Sequence, residues 1–372
     1  MRVGVLFEYG SLNGGEFSML AMLDHISRSV IQAVALCPDE GPLKEELIRR
    51  EIPVFPWPKS VSGAWSDEDR RQQAQFLNQV IQDQKLHLLH ANSLTMARRL
   101  GQISENLNCP ATGHLRDMMS LSRSGIEGLS RLHRLAAVSE ATRLDHIGQG
   151  LPEAKIKTIY NGVDLDRFRP LPPTGFLKAE LGIPQQSHLA AVIGQICLRK
   201  GQDDFAAAAV LLKDEFPNLH FVMIGQRHSR KLESVQFDAA ITERFQSAGL
   251  SHRLHRLEFR NDIPDLLREI DVLVHPARQE PLGRVLLEAA ACGKPIMATN
   301  VGGTREILKH QQTALLVPPG RPEELSQGIS FLLKNPQTAK HYGESAAIDI
   351  ARRFPAQMAA QNMLMFWQQS EQ

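Results

Sequence analysis

The 372-residue chain has few cysteines, no excess of either charge sign and no long apolar run, and each shortage removes a class of function. Its four cysteines, Cys37, Cys109, Cys197 and Cys292, stand far apart with no Cys-x-x-Cys or Cys/His ligand spacing, so a zinc site is not expected. They read as small apolar side chains of a reducing compartment. Lys plus Arg (42) and Asp plus Glu (41) nearly cancel, so the chain lacks the basic field of a nucleic-acid binder, and no nucleic-acid partner is expected. The densest apolar run, Phe205 to Leu212, is far shorter than the ~18 residues needed to span a bilayer. The apolar run that opens at Met1 breaks at Glu8, too early for a signal-peptide core, and a cytoplasmic location is expected. No Gly-x-Gly-x-x-Gly and no Gly-Lys-Ser/Thr turn occurs, which disfavours dinucleotide redox chemistry and P-loop phosphoryl transfer.

What the sequence does contain is a regular alternation of short apolar runs with longer amphipathic stretches, the pattern of parallel strands joined by helical crossovers. Strands are expected at 3–7, 33–36, 54–55, 86–90, 111–114, 135–138 and 156–159, and a second series at 189–193, 219–224, 256–259, 272–274, 295–298 and 314–317. The length suits two domains. Between the two series lies Arg169-Pro-Leu-Pro-Pro-Thr-Gly175, whose three prolines remove backbone donors, so it reads as a hinge linker. The expected division is 1–169, 170–350 and a terminal helix over 351–372. That tail is interrupted at Phe354-Pro355 and carries Met358, Met363, Leu364, Phe366 and Trp367, which need a surface to cover them.

The strongest local signal runs from Asp271 to Gly303. A strand ends at His275-Pro276, a loop carries Glu280, Gly283 opens a helix, Glu288 lies more than one turn inside it, and Gly293 with Pro295 stops it. The exposed backbone N–H groups at the start of that helix can bind an anion. Glu280 and Glu288 can accept from hydroxyls of two parts of one elongated ligand, or else be solvated or paired with Arg278 and Arg284. A second signal, Gly194-Gln-Ile-Cys-Leu-Arg199-Lys200-Gly201, is a strand-to-helix turn whose two cations can hold a diphosphate or sit as surface charges. In the first half, Gly14-Gly15-Glu16 follows the first strand, with a helix expected from Phe17; the two glycines admit close approach of a phosphate or sugar, or make an ordinary turn. Pro110-Ala-Thr-Gly-His114-Leu-Arg116-Asp117 brings a histidine and an aspartate to a strand end, where they can titrate or bind hydroxyls, or be structural. Ser139 is positioned to cap a helix, and Asn161-Gly162 reads as a turn.

Glu280-Pro-Leu-Gly283, Glu288-Ala-Ala-Ala-Cys-Gly293-Lys-Pro295 and Val301-Gly-Gly-Thr-Arg-Glu306 resemble the E-x7-E donor-site motif of the retaining family 4 glycosyltransferases, also called group 1 glycosyltransferases. The resemblance implies an α/β chain of GT-B fold, two Rossmann-like doubly wound domains facing across a cleft, with the terminal helix crossing back to the first domain. It implies a hexosyltransferase that uses a nucleotide sugar, UDP- or GDP-linked, as substrate and needs no cofactor and no metal. The acceptor would be a glycan, a lipid or a small molecule, and anomeric configuration would be retained. By resemblance Glu280 contacts sugar hydroxyls, Glu288 the ribose, and Pro281, Leu282 and Gly283 the sugar or phosphate through backbone. Gly194 and Lys200 match the family's G-R-x(4)-K-G phosphate turn, except that Gln195 replaces the arginine, for which Arg199 would substitute. Gly14 and Gly15 resemble its GGxE loop, with Phe17 where an acidic residue is common, and His114 takes the place of a histidine beside the donor sugar. Two other readings stay open: a GT-B sugar-nucleotide epimerase, and a catalytically silent sugar-nucleotide-binding protein. Six arginines between Arg98 and Arg134 raise the further expectation of weak peripheral contact with the inner face of a membrane.

Overall fold

The computed structural model describes residues 1–57 and 65–371. It consists of two compact units, one built from Met1–Gly162 together with Phe354–Gln372, the other from Val163–Arg353.

The first unit holds a seven-stranded sheet of β1 (Arg2–Leu6), β2 (Gln32–Cys37), β3 (Val54–Pro56), β4 (Leu88–Ala91), β5 (Ala111–Leu115), β6 (Arg134–Ala137) and β7 (Ile156–Thr158). All neighbours are parallel, in the order β3-β2-β1-β4-β5-β6-β7. Both faces are buried, as a parallel sheet requires, so its strands read as nearly continuous apolar runs. One face packs Leu6, Leu36, Leu89, Leu115 and Leu135 against helices that contribute Leu77, Ala97, Leu100 and Leu129. The other packs Val3, Val5, Leu88, Ala136 and Ile159 against the helix Gly14–Asp24 and the terminal helix Ala356–Glu371. Met363, Phe366 and Trp367 of that terminal helix are fully buried there, each contributing roughly 1.5–3 kcal/mol by area. Pro355 separates it from the preceding helix Pro336–Arg353.

The second unit holds β8 (His188–Ile193), β9 (Leu219–Ile224), β10 (Leu254–Leu257), β11 (Val272–His275), β12 (Ile296–Thr299) and β13 (Leu315–Val317), parallel in the order β10-β9-β8-β11-β12-β13. Its core gathers Val192, Phe205, Phe221, Phe245, Val274 and Met297. In each sheet the winding reverses at one place, between β1 and β4 and between β8 and β11. The chain leaving the carboxyl ends of those two strands forms the crevice where open α/β sheets hold ligands.

Val163–Arg169, expected at the end of the first domain, belong to the second unit, and residues 351–353 belong there rather than with the terminal helix. The proline-rich segment is not a loose hinge. The buried carboxylate of Glu269 accepts from the Thr174 amide (2.6 Å) and hydroxyl (2.9 Å) and from the Gly175 amide (2.9 Å), which pins its end to the helix Ile263–Glu269. No helix among the described residues is long and apolar enough to cross a membrane.

Candidate functional site

In the second unit the switch between β8 and β11 brings the predicted residues together. Gly194 ends β8, and a short 3-10 turn, Leu198–Lys200, leads through Gly201 into the helix Gln202–Leu212. Gly201 has φ +65°, and a Cβ there would lie 2.0 Å from the Pro276 carbonyl, so only glycine lets the turn sit against the end of β11. Arg278 holds the turn from the other side: its amide donates to the Arg199 carbonyl (2.8 Å), and its guanidinium binds the Leu198 carbonyl (3.0 Å), Asp203 (2.7 Å) and Asp204 (3.0 Å). Both Arg278 and the turn are therefore fixed before any ligand arrives.

Lys200 and Glu280 meet in this corner. The Lys200 ammonium donates to Glu280 Oε2 at 2.5 Å, and His275, the last residue of β11, contacts the same oxygen through Nε2 at 2.8 Å. A carboxylate only accepts, so His275 Nε2 carries the proton. Burial alone would raise the Glu280 carboxyl, but the Lys200 charge and the His275 hydrogen bond outweigh it and hold the group well below the usual carboxylate range. His275 is lowered by burial first, then by the nearby Lys200 and Arg199 charges, so its imidazole is neutral at pH 7. No described residue donates to Glu280 Oε1, and two of the three Lys200 N–H groups have no partner among the described residues. The site thus offers one free acceptor and two free donors on a cation.

Behind this corner, Gly283 (φ +99°) starts the helix Arg284–Ala291, whose first amides have no side-chain cap. Glu288 is buried on it and pairs with Arg284 at 3.2 Å. Burial raises its carboxyl, with Arg284 and Arg167 pulling the other way. The loop from Glu280 to Gly283 is closed by the Gly303 amide donating to the Glu280 carbonyl at 3.0 Å. A Cβ on Gly303 would stand 2.5 Å from the Pro281 carbonyl oxygen, so the Val301-Gly-Gly segment packs directly against the Pro281-Leu282-Gly283 backbone. Arg199 is half-buried, its one side-chain hydrogen bond among the described residues being a long one (3.4 Å) to the Gln279 carbonyl, while Gln195 is exposed and gives its carbonyl to Gln202 Nε2 at 2.9 Å.

In the first unit the arrangement differs from the sequence expectation in two respects. The Gly14-Gly15 pair is not a loop before a helix at Phe17; it is the first turn of the helix Gly14–Asp24. Glu16 turns back to accept from the Asn13 amide (3.1 Å), and burial raises its carboxyl. His114, expected beside a donor sugar, is turned away from the strand end. Side chains alternate along β5, so Ala111, Gly113 and Leu115 share one face while Thr112 and His114 point to the other, beneath the terminal helix. His114 has no exposed surface, both ring nitrogens lack a hydrogen-bond partner, and its ring stands edge-on to His90 with centroids 5.5 Å apart. His90 in turn stands edge-on to Trp367, also 5.5 Å between centroids.

The residue that reaches the carboxyl end of β5 is Arg116, which the sequence placed in the right motif without singling it out. It donates to the Asn92 carbonyl (2.8 Å), Asn92 Oδ1 (2.8 Å) and Asn161 Oδ1 (3.0 Å), tying the ends of β4, β5 and β7 together beside Gly15. Burial lowers it to about 10. Asn161, read as a turn residue, is thus also a ligand of Arg116, and Ser139 caps its helix through the Thr142 amide (3.0 Å) as expected. The arginines between Arg98 and Arg134 have different partners. Arg116 turns inward, Arg123 pairs with Glu127 (3.0 Å), Arg131 with Glu105 (3.8 Å), Arg134 bonds Gln369 and Arg99 lies over the Trp65 ring. All four cysteines are free, and among the described residues no three His, Cys, Asp or Glu side chains are grouped to hold a metal ion.

Comparison with known proteins matches residues 174–349 to the family model "Glycosyl transferases group 1" and residues 12–167 to "Glycosyltransferase Family 4". Among curated proteins the chain is similar to the D-inositol 3-phosphate glycosyltransferase of Mycobacteroides abscessus, 30 % identical over 228 residues, 60 % of this chain and 48 % of that protein. It is also similar to the protein of the same name from Streptomyces bingchenggensis, 28 % identical over 209 residues, 52 % of this chain and 43 % of the other. The chain spans about half the length of the curated relatives it matches. Among solved structures it superimposes on Anabaena HepE in complex with UDP-glucose with a TM-score of 0.87 at 22 % identity, over 99 % of this chain and 100 % of the other. The fold is therefore GT-B, two Rossmann-like α/β units.

Proposed function

From the premise that both units of this GT-B chain match glycosyltransferase models, we propose that it transfers a hexosyl group from a nucleoside-diphosphate sugar to a hydroxyl of an acceptor, with retention of anomeric configuration. The observation that carries the reading is the Lys200–Glu280–His275 corner beside the uncapped helix start at Gly283. The free N–H groups of Lys200 and the backbone N–H groups of Leu282 and Gly283 suit a diphosphate, which gains charge as the anomeric C–O bond breaks. Glu280 Oε1 suits a sugar hydroxyl and Glu288 the ribose. Arg199 adds a second cation where Gln195 supplies none. In the transfer, the bond between the anomeric carbon and the phosphate oxygen breaks, the acceptor oxygen bonds to that carbon, and the acceptor's proton passes to the departing phosphate. No residue of the chain is covalently modified, and neither a metal nor a cofactor takes part.

The relatives indicate where to begin. HepE was crystallised with UDP-glucose, which makes UDP-glucose the first donor to try against GDP-glucose; the names of the curated relatives make an inositol phosphate one acceptor to place beside glycan and lipid acceptors. The reaction belongs in the cytoplasm, where nucleotide sugars are available. Incubation of the pure protein with each donor, with and without acceptor, followed by proton NMR of the first product tests the whole reading. An α-linked product from an α-linked donor is expected. A β-linked product would overturn retention, turnover to a second nucleotide sugar without acceptor would make the protein an epimerase, and tight donor binding with no release under any condition would make it a binding protein.

A further inference from the structure

The corner holds one side chain to which the proposed transfer gives no ligand. His275 is the last residue of β11, is 3 % exposed, and spends Nε2–H on Glu280 Oε2, the same oxygen that accepts from Lys200. Two donors on one oxygen are redundant if the purpose is only to neutralise a buried carboxylate. They differ in what they constrain. Lys200 brings a compact charge on a flexible four-carbon stem, which sets a distance but little direction. The imidazole is planar, has two side-chain torsions, and is anchored at a strand end whose backbone is itself fixed: the Thr299 hydroxyl bonds the carbonyls of His275 and Ala277, and Pro276 follows at once.

Resting on the proposed transfer, we infer that His275 is a positioning residue that fixes the Glu280 carboxylate through Oε2, so that Oε1 stays presented to a donor-sugar hydroxyl when the Lys200 charge is drawn to the diphosphate. Before the donor arrives, Lys200 and Glu280 neutralise one another. A diphosphate brings more negative charge than the carboxylate and competes for the same ammonium, so the ion pair weakens when the sugar has to be held. The hydrogen bond from His275 does not weaken, because a neutral imidazole is not drawn to the phosphate. Glu280 then keeps its place for the sugar while Lys200 serves the leaving group. His275 touches neither.

Two substitutions separate this role from packing. His275→Gln keeps an N–H donor at nearly the same reach; His275→Leu keeps the volume and removes the donor. UDP-glucose and UDP are the probes, by calorimetry and by steady-state kinetics. His275→Gln is expected to hold kcat/KM for UDP-glucose within about threefold of the unmodified protein, whereas His275→Leu loses about ten- to a hundredfold while its UDP affinity stays unchanged. Equal loss of UDP and UDP-glucose affinity in His275→Leu, or no rescue by glutamine, would reduce the residue to packing. A second readout needs no activity. Nitrogen NMR of the ring should show Nε2 protonated and Nδ1 bare at pH 7, and Lys200→Met should raise the pH at which His275 titrates. A bare Nε2, or a titration indifferent to Lys200→Met, overturns the lock. If the unmodified protein binds UDP-glucose and GDP-glucose no better than the bare diphosphates, the donor-site reading fails while the ring spectrum still decides the His275–Glu280 bond.

Discussion

Mild acid should loosen the first unit, and the cause is the pair His90 and His114 under the terminal helix. Both are fully buried and neutral. Burial pushes His90 down to about 3, with the Arg116 charge adding to it; the same two causes, and then His90 itself, lower His114 well below its ordinary value. In the unfolded chain each titrates near 6.5, so between that value and the folded value the unfolded state binds more protons, and stability falls as pH falls. At pH 5 this amounts to about 2 kcal/mol for His90, a sizeable part of a typical 5–15 kcal/mol, and His114 adds in the same direction. Depressed carboxylates such as Glu280 cannot contribute in this window, because their stabilisation is lost only below the unfolded carboxylate value near 4.3. The three tryptophans, Trp57, Trp65 and Trp367, all belong to the first unit, so their fluorescence follows it alone during urea unfolding. The discriminating variant is His114→Leu, since neither ring nitrogen of His114 has a partner to lose. Its unfolding midpoint should match the unmodified protein at pH 7 and exceed it at pH 5, the gap corresponding to about one proton. If His114→Leu is destabilised equally at both pH values, the ring is satisfied by something other than burial and the reasoning fails.

Lys200→Ala should lower donor turnover about a hundredfold to a thousandfold, the scale of deleting one preorganised charge at a leaving group; near-normal kcat at saturating donor would remove Lys200 from the chemistry. The same variant strands the buried Glu280 carboxylate, so Lys200→Ala combined with Glu280→Gln should regain thermal stability without regaining turnover. Glu288→Gln should weaken nucleoside diphosphate binding about tenfold, and Glu280→Gln should leave it nearly unchanged; calorimetry with UDP decides, and equal losses would contradict the division of labour between the two carboxylates.

How far the residues reveal the fold and the site depends on the range of the interaction. Every expected strand is present within a residue or two, because a parallel sheet buried on both faces demands short apolar runs such as Leu219–Ile224 and Val272–His275. The Lys200–Glu280 corner is legible as a motif because its groups sit at the strand-to-helix turns of one unit. What could not be read was direction. Whether His114 points along the strand end or under a helix is set by a one-residue register choice, and the polar His90 and Thr112 on the same face are the only sign of it in the sequence. His275 was visible only as the end of a strand, since its bond to Glu280 depends on the loop folding back over five residues. Arg116 is held by Asn92 and Asn161, partners 24 and 45 positions away, and nothing local announces them.

The composition of the first unit, residues 1–162 completed by 354–372, sets an order of events during synthesis. Residues 1–162 leave the ribosome before the middle unit and carry all seven strands of the sheet, yet one face of that sheet lacks Met363, Phe366 and Trp367 until residues 354–372 emerge. The middle unit has no such debt, since all its strands and helices lie between Val163 and Arg353. The first unit is therefore begun before the middle unit and completed after it, and for that interval Val5, Leu88 and Ile159 form an open apolar surface, the kind that chaperones hold and aggregates grow from. Ribosome-bound chains stopped short of residue 354 should be caught in that state.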